Sequence, residues 1–270
     1  MGARCYRHSA GKRGISRIAW LAVAAATMAA TAAPTRADED VSTNTPLPRI
    51  SHGQFMVSPL AGWDRNEYAA FNPGTHQMQV HKDTSAEYGL MGSYVNPHIA
   101  VNNILFYTDP NNSKVWGDIL AVSVCGDPKA DITWTLGTSY TWHEIEMPGI
   151  ALRINEPLIR AGPLFRVPSC HLALNPYVGY AHLAVDTTYG GDAWETGVYG
   201  IIARWDWRML HATSQYYIQD NPQLNQVYQV FRTRMTAFVT ENLGFMIRGE
   251  YMRQYTSKDT TLLLGPVYLF

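Results

Sequence analysis

The sequence has 270 residues, of which 46 % are hydrophobic and only 16 % are charged, with 21 basic against 22 acidic residues. Soluble domains carry about 25 % charged residues, so this chain is short of charge. Its 8 Trp, 16 Tyr and 8 Phe argue against disorder. Beyond residue 37 no run reaches the roughly 18 apolar residues that a membrane-spanning helix needs, which excludes a helical membrane protein.

The first 37 residues have the layout of a secretory signal peptide. A basic segment without acids precedes the alanine-rich stretch from Ile18 to Ala33, and small residues flank Arg36. This order predicts export and cleavage rather than a helical anchor. The mature chain then carries 15 basic against 22 acidic residues, a net charge of −7. Residues 38–53 are polar and contain prolines, so we expect a flexible, exposed tail before a single domain at 54–270.

From Gln54 onward, apolar and polar residues alternate with a period of two, which is typical of β-strands. Residues 132–142, for example, place two tryptophans, a tyrosine and two aliphatic residues on one face. Turn residues divide this part of the chain into about twelve strands. The predicted strands are 54–63, 86–95, 97–108, 115–126, 130–144, 156–167, 170–186, 194–207, 209–219, 225–240, 243–256 and 259–270.

Short and longer connections alternate between these strands, which is the layout of an outer-membrane barrel. The longer connections include 64–85, 145–155 and 187–193. A secreted β-sandwich also alternates, but its wet face carries Lys and Glu; here the four lysines of the mature chain fall in or beside connections. Because an open sheet edge cannot exist in lipid, we predict an all-β fold, a closed antiparallel up-and-down transmembrane β-barrel with short periplasmic turns and longer extracellular loops.

The carboxyl-terminal residues resemble the assembly signal of Gram-negative outer-membrane proteins, with Tyr268 and Phe270 ending a strand of alternate apolar residues. Segments 175–190 and 219–252 are similar to an uncharacterised family of Gram-negative outer-membrane β-barrel proteins. The resemblance implies location in the outer membrane, contact with its lipid, and delivery by the barrel assembly machinery through the last strand. It implies no activity.

If the aromatic faces contact lipid, the opposite faces line the lumen. Seven arginines are then expected in the lumen: Arg160, Arg166, Arg204, Arg208, Arg232, Arg234 and Arg248. Their expected acidic partners are Asp131, Asp206 and Glu250. On the lipid side, a basic residue would cost about 2–4 kcal/mol at mid-depth.

These residues favour a porin-like passive channel for small anionic solutes, because guanidinium groups stay charged and bind carboxylates and phosphates. The alternative is a closed, structural barrel in which arginines and acids pair and fill the lumen. A third hypothesis is an outer-membrane hydrolase acting at the loop end, with His143 beside Glu144 and with Asp186 and Asp192 flanking a loop. No G-x-S-x-G or H-E-x-x-H motif supports catalysis.

Other ligands are not expected from the sequence. Cys125 and Cys170 lack companions at metal-ligand spacing. We expect them to be small apolar fillers, although an oxidising compartment would permit a disulfide. No cofactor is expected, and a secreted chain of net charge −7 without a basic patch argues against a nucleic-acid partner.

Overall fold

The computed structural model describes residues 53–72, 77–110, 113–147, 149–207, 209–223, 226–254 and 257–270, and their side chains except those of 68–72 and 77–78. The predicted signal peptide at 1–37, the tail at 38–53 (Gly53 apart) and Arg208 lie outside the described residues. No helix among the described residues is long and apolar enough to cross a membrane.

Twelve antiparallel strands form a closed ring in which each strand pairs with its neighbours in the chain and the first pairs with the last. The prediction of a closed twelve-stranded barrel is therefore confirmed. The strands are β1 (Gln54–Asn72), β2 (Gln77–Val95), β3 (Ile99–Thr108), β4 (Lys114–Cys125), β5 (Ile132–Met147), β6 (Ile150–Val167), β7 (Leu172–Thr187), β8 (Gly190–Trp207), β9 (Leu210–Asn221), β10 (Gln226–Phe238), β11 (Leu243–Arg253) and β12 (Ser257–Leu269).

The strand ends agree with the prediction at one end of the barrel, the turn end, where β1 begins and β12 finishes. At the opposite end, the loop end, the connections are longer than at the turn end. Most of their residues, however, belong to paired strands rather than to the predicted loops. Residues Asp64–Asn72 pair with Gln77–Ser85 across the segment predicted as a 64–85 loop. Segments 145–155 and 187–193 are mostly strand as well.

An apolar band surrounds the outward face of the wall. On β1 it runs from Phe55 to Trp63, which matches the about 9–11 residues of a membrane-spanning strand. Its exposed side chains include Phe55, Tyr88, Trp116, Trp134, Phe165, Tyr199, Phe231, Phe245 and Tyr268. Above the band, outward ion pairs join Glu67 to Arg65 at 2.7 Å and to Lys82 at 3.4 Å, so the loop-end hairpins extend beyond the apolar surface.

Two seams of the wall are interrupted by facing prolines. Pro59 on β1 lies opposite Pro266 on β12, and Pro163 on β6 lies opposite Pro176 on β7. Proline has no N–H to donate, so the hydrogen-bonded ladder breaks at both points. The two seams are six strands apart and therefore lie on opposite sides of the ring.

The two seams share more than their prolines. Residues 58–63 and 175–180 both read polar-Pro-x-x-Gly-aromatic, and Gly precedes the facing proline in both cases. Ser58 donates to the Pro266 carbonyl at 2.8 Å, and Asn175 donates to the Pro163 carbonyl at 2.7 Å. Each polar side chain thus replaces part of the missing ladder, and the two seams divide the wall into the halves β1–β6 and β7–β12.

Contacts across the lumen join strands of these opposite halves. The Arg234 guanidinium on β10 donates to the Asn102 side-chain oxygen on β3 at 3.2 Å. Four strands separate β10 from β3 along the shorter path around the wall, and strands lie about 4.8 Å apart, so this contact runs across the lumen. Met246 of β11 likewise packs in one cluster with Met91 of β2. The lumen is therefore narrow between the two halves.

Candidate functional site

Apolar side chains fill part of the lumen. Five buried residues form one cluster towards the turn end, between β10–β12 and β1–β3: Leu60, Met91, Met246, Leu263 and Val267. A second cluster on the opposite side joins Tyr177, Ala181, Val198, Tyr217 and Val230. Cavities lie beside these clusters at both ends of the described barrel.

The loop-end cavity has a volume of about 600 Å³ and is predominantly acidic. Its six carboxylates are Asp64, Asp83, Glu87, Glu156, Glu250 and Asp259, and its three basic residues are Arg160, Arg232 and Arg248. It also receives the aromatic side chains of Phe106 and Tyr228. The carboxylates thus outnumber the guanidinium groups at this end.

The turn-end cavity has a volume of about 710 Å³ and the opposite charge. Arg160, Arg166 and Arg204 line it, and Asp206 is its one carboxylate among the described residues. Arg160 lines both cavities and therefore lies where they adjoin. The lumen is acidic at the loop end and basic at the turn end.

The central charges form a triad on β10 and β11. Arg232 Nη2 lies 2.8 Å from Glu250 Oε1, and Arg248 Nη2 lies 3.0 Å from Glu250 Oε2. Arg232 and Glu250 are direct cross-strand partners, and Arg248 precedes Glu250 by one step on the same face. Both carboxylate oxygens are therefore used, and the triad keeps one net positive charge.

A second group of charges lies on β8 and β9, nearer the turn end. Arg204 Nε lies 2.6 Å from Asp206 Oδ2, and His211 Nδ1 lies 2.7 Å from Asp206 Oδ1. Asp206 thus holds an arginine and a histidine at once, and it neutralises Arg204 in the wall of the turn-end cavity.

Three of the predicted lumen arginines have no ion-pair partner within the described part of the chain. Arg160 lies over the Tyr177 ring, with 5.1 Å from its guanidinium carbon to the ring centroid. Arg166 donates to the carbonyls of Ala130 at 2.6 Å and Asp127 at 3.2 Å. Arg234 makes the cross-lumen bond described above. No carboxylate of the described chain pairs with these three guanidinium groups, and Arg160 and Arg166 leave the turn-end cavity basic.

Other predicted residues lie elsewhere. Asp131 is exposed at the β4–β5 turn, where its backbone carbonyl accepts the Arg166 N–H at 2.7 Å, and no ion pair of its carboxylate is found among the described residues. Tyr268 faces outward on β12. Phe270 is exposed beyond that strand and donates its backbone N–H to the Phe55 carbonyl at 2.9 Å.

The adjacent His143 and Glu144 of the hydrolase hypothesis do not converge. His143 lines the loop-end cavity and meets Phe106 edge-on at 5.2 Å between ring centroids. Glu144, the next residue, points to the opposite face and binds Arg153 at 2.7 Å. Strand alternation therefore separates the histidine from the adjacent carboxylate.

Both cysteines of the described chain are free. The half-buried Cys125 thiol lies 3.1 Å from the Pro97 carbonyl oxygen. Cys170 is exposed in the short 3-10 turn Pro168–Cys170, so the expectation that it is an apolar filler is wrong. A turn that breaks the pleat leaves no packed face for its side chain.

Apart from Glu250, the acidic side chains of the loop-end cavity were not predicted from the sequence. Asp64 and Asp83 fall in the segment predicted as a loop, so their faces were not assigned. Period-two counting from Ser58 through Leu60 places Asp64 on the same inward face, and this was the available signal. Glu87 and Asp259 lie in predicted strands, but their convergence depends on the strand register.

No known protein-family model matches the sequence, and no curated protein is similar to it. Among solved structures, the chain is similar to the translocator domain of the autotransporter NalP from Neisseria meningitidis, with 11% identity, coverage of 94% of this chain and 95% of that chain, and a TM-score of 0.43. The chain is also similar to the transport unit of the autotransporter AIDA-I from Escherichia coli, with 14% identity, coverage of 90% of this chain and 97% of that chain, and a TM-score of 0.43. Similarity to an anion-selective porin from Comamonas acidovorans is at 10% identity, with coverage of 81% of this chain and 100% of that chain and a TM-score of 0.36.

Proposed function

We propose that the protein spans an outer membrane and that its lumen is a narrow passive channel favouring small anionic solutes. The outward apolar band supports the location, because a closed barrel satisfies its backbone hydrogen bonds internally and can contact lipid. The position of Arg160 carries the functional part of the proposal, since this uncompensated guanidinium lines both cavities.

The charges of the turn-end cavity provide the selectivity. Arg160 and Arg166 have no carboxylate partner in the described chain, whereas Arg204 is paired with Asp206. A fixed positive wall raises the local concentration of anions and lowers that of cations. A solute that moves from the loop-end cavity to the turn-end cavity must pass Arg160, which lines both.

The alternative candidate is a closed barrel without transport. The Arg234–Asn102 bond across the lumen and the apolar cluster around Met91 favour it, because both occupy space that an open pore needs. The two candidates differ in whether the cavities connect beside Arg160.

Planar-bilayer recordings of the refolded mature chain test the proposal. We expect discrete conductance steps and, under a KCl gradient, a reversal potential that indicates preference for chloride. One unit charge at 4 Å contributes about 1 kcal/mol in water, about fivefold in an equilibrium ratio. Arg160→Glu should therefore lower the anion-to-cation permeability ratio by roughly fivefold or more.

Arg153→Glu is the matched control, because Arg153 lies on the outward face at the loop end, where it pairs with Glu144. It should leave the reversal potential unchanged. Absence of conductance steps at every voltage would support the closed barrel. Conductance with an unaltered reversal potential in Arg160→Glu would show that this arginine does not select the solute.

A further inference from the structure

Three carboxylates face the loop-end cavity from three adjacent strands. Asp259 lies on β12, Asp64 on β1 and Glu87 on β2, and all three line the cavity. We call these three side chains, together with Asn66 of β1, the acceptor wall. Asn66 is the cross-strand partner of Asp259, so the four side chains occupy one continuous patch.

Part of the acceptor wall lacks donors: Asp64 accepts from the Thr261 hydroxyl at 3.0 Å and is hydrogen-bonded to Asp259, but the other members keep acceptors without a partner. The Glu87 residue is only 6% exposed, and no hydrogen bond or ion pair of its carboxylate is found in the described chain. Asp259 Oδ1 and Asn66 Oδ1 are likewise buried and lack a partner among the described residues. Orphaned buried acceptors are costly and rare, and their convergence on one cavity indicates a missing donor.

The charges of the wall are not balanced by the protein. Glu87 and Asp259 each experience repulsion from Asp64 and from Glu250. Arg248 attracts Glu87, but its guanidinium is bound to Glu250 at 3.0 Å. Lys82, which is close to Asp83 and Glu87 in sequence, does not neutralise the wall, because it binds the outward Glu67.

We propose that the acceptor wall binds an organic cation that carries two or more amino groups. Each primary ammonium group supplies a positive charge and three N–H donors. These are the partners that the unpaired oxygens of the wall lack. Within the described residues, no group of three His, Cys, Asp or Glu side chains is arranged to hold a metal ion. Carboxylates spread over three strands suit a ligand whose charges are also spread.

The cavity can hold such a ligand. Its volume of about 600 Å³ lies within the range of small-molecule sites. Phe106 and Tyr228 line the same cavity and offer apolar surface for the methylene groups between the amines. This site is distinct from the basic turn-end cavity on which the proposed anion channel depends, and its occupancy does not require conduction.

Isothermal titration of the full mature chain in detergent tests the site with spermidine as the probe. We expect saturable binding that weakens as salt is raised, because ammonium–carboxylate contacts are screened. Glu87→Gln and Asp259→Asn preserve shape and remove one ionisable carboxyl group each. Either should weaken spermidine binding by about tenfold, the effect of losing one charge-assisted hydrogen bond.

Glu67→Gln is the control, because it removes a carboxylate from the outward face of the same hairpin. This variant should bind spermidine with the affinity of the unaltered chain. Tetraethylammonium, which has charge but no N–H, should bind at least about tenfold more weakly than spermidine. Heat-modifiable gel mobility identifies the variants that fold, and affinity is compared among these. Absence of saturable spermidine binding, or equal affinity in a folded Glu87→Gln or Asp259→Asn variant, would overturn the proposal.

Discussion

Glu250→Gln is the substitution that most directly examines the central triad. The carboxylate holds Arg232 at 2.8 Å and Arg248 at 3.0 Å, and the three side chains are 20%, 30% and 11% exposed in the order Glu250, Arg232, Arg248. The amide keeps the shape of the side chain but leaves two neighbouring guanidinium groups with no anion between them.

The expected cost follows from this burial. Breaking a fully buried ion pair by removing one partner costs about 3–5 kcal/mol. Because these side chains keep some exposure, we expect a loss of about 2–4 kcal/mol in the free energy of unfolding. Glu144→Gln provides the scale for an exposed pair, since its partner Arg153 is 61% exposed, and should cost about 0–1 kcal/mol.

Both variants are measured by guanidinium unfolding in lipid vesicles, followed by tryptophan fluorescence. A cost for Glu250→Gln no greater than that for Glu144→Gln would show that water solvates the triad, and the description of a narrow, side-chain-filled lumen would then be wrong. Adding Arg232→Gln to Glu250→Gln completes a double-mutant cycle and isolates the coupling of the pair.

Two further predictions concern the cross-lumen contact and the proline seams. Arg234→Ala removes the bond to Asn102 and should increase single-channel conductance in planar bilayers, whereas unchanged conductance would show that this side chain does not obstruct the lumen. A Cβ at Gly265 would lie 1.8 Å from the Pro59 carbonyl oxygen, so Gly265→Val should slow or prevent barrel closure, seen as loss of the heat-modifiable gel form. Gly92→Val, where a Cβ meets nothing within 4 Å, is the control, and equal folding of both variants would contradict this account of the seam.

Strand number and the turn-end boundaries could be predicted because alternation is clear wherever one face is apolar and the other is not. On β5, for example, Trp134 and Tyr140 alternate with Thr135 and Ser139. The signal fails beyond the apolar band. Around Arg65 and Lys82 both faces of the hairpin are polar, so no period remains, although the backbone stays paired.

Alternation could assign the lumen arginines to inward faces, but it did not reveal most of the acidic residues of the loop-end cavity or the individual contacts. Alternation alone assigns Arg232 and Glu250 to inward faces, whereas their contact depends on the register of β10 and β11. The acceptor wall depends on the closure of β1 on β12, which brings Asp64 beside Asp259 although the two are far apart in the sequence. One-dimensional patterns carry no information about which strands of a ring face each other.

The facing prolines make the wall mechanically uneven. Pro59 with Pro266, and Pro163 with Pro176, create two compliant lines on opposite sides of an otherwise continuous cylinder. Lateral pressure from a surrounding bilayer would bend the cylinder along these lines, changing its ellipticity while its circumference stays fixed. The distance between opposite walls, and with it the reach of Arg234 towards Asn102, would then respond to the thickness and tension of the lipid.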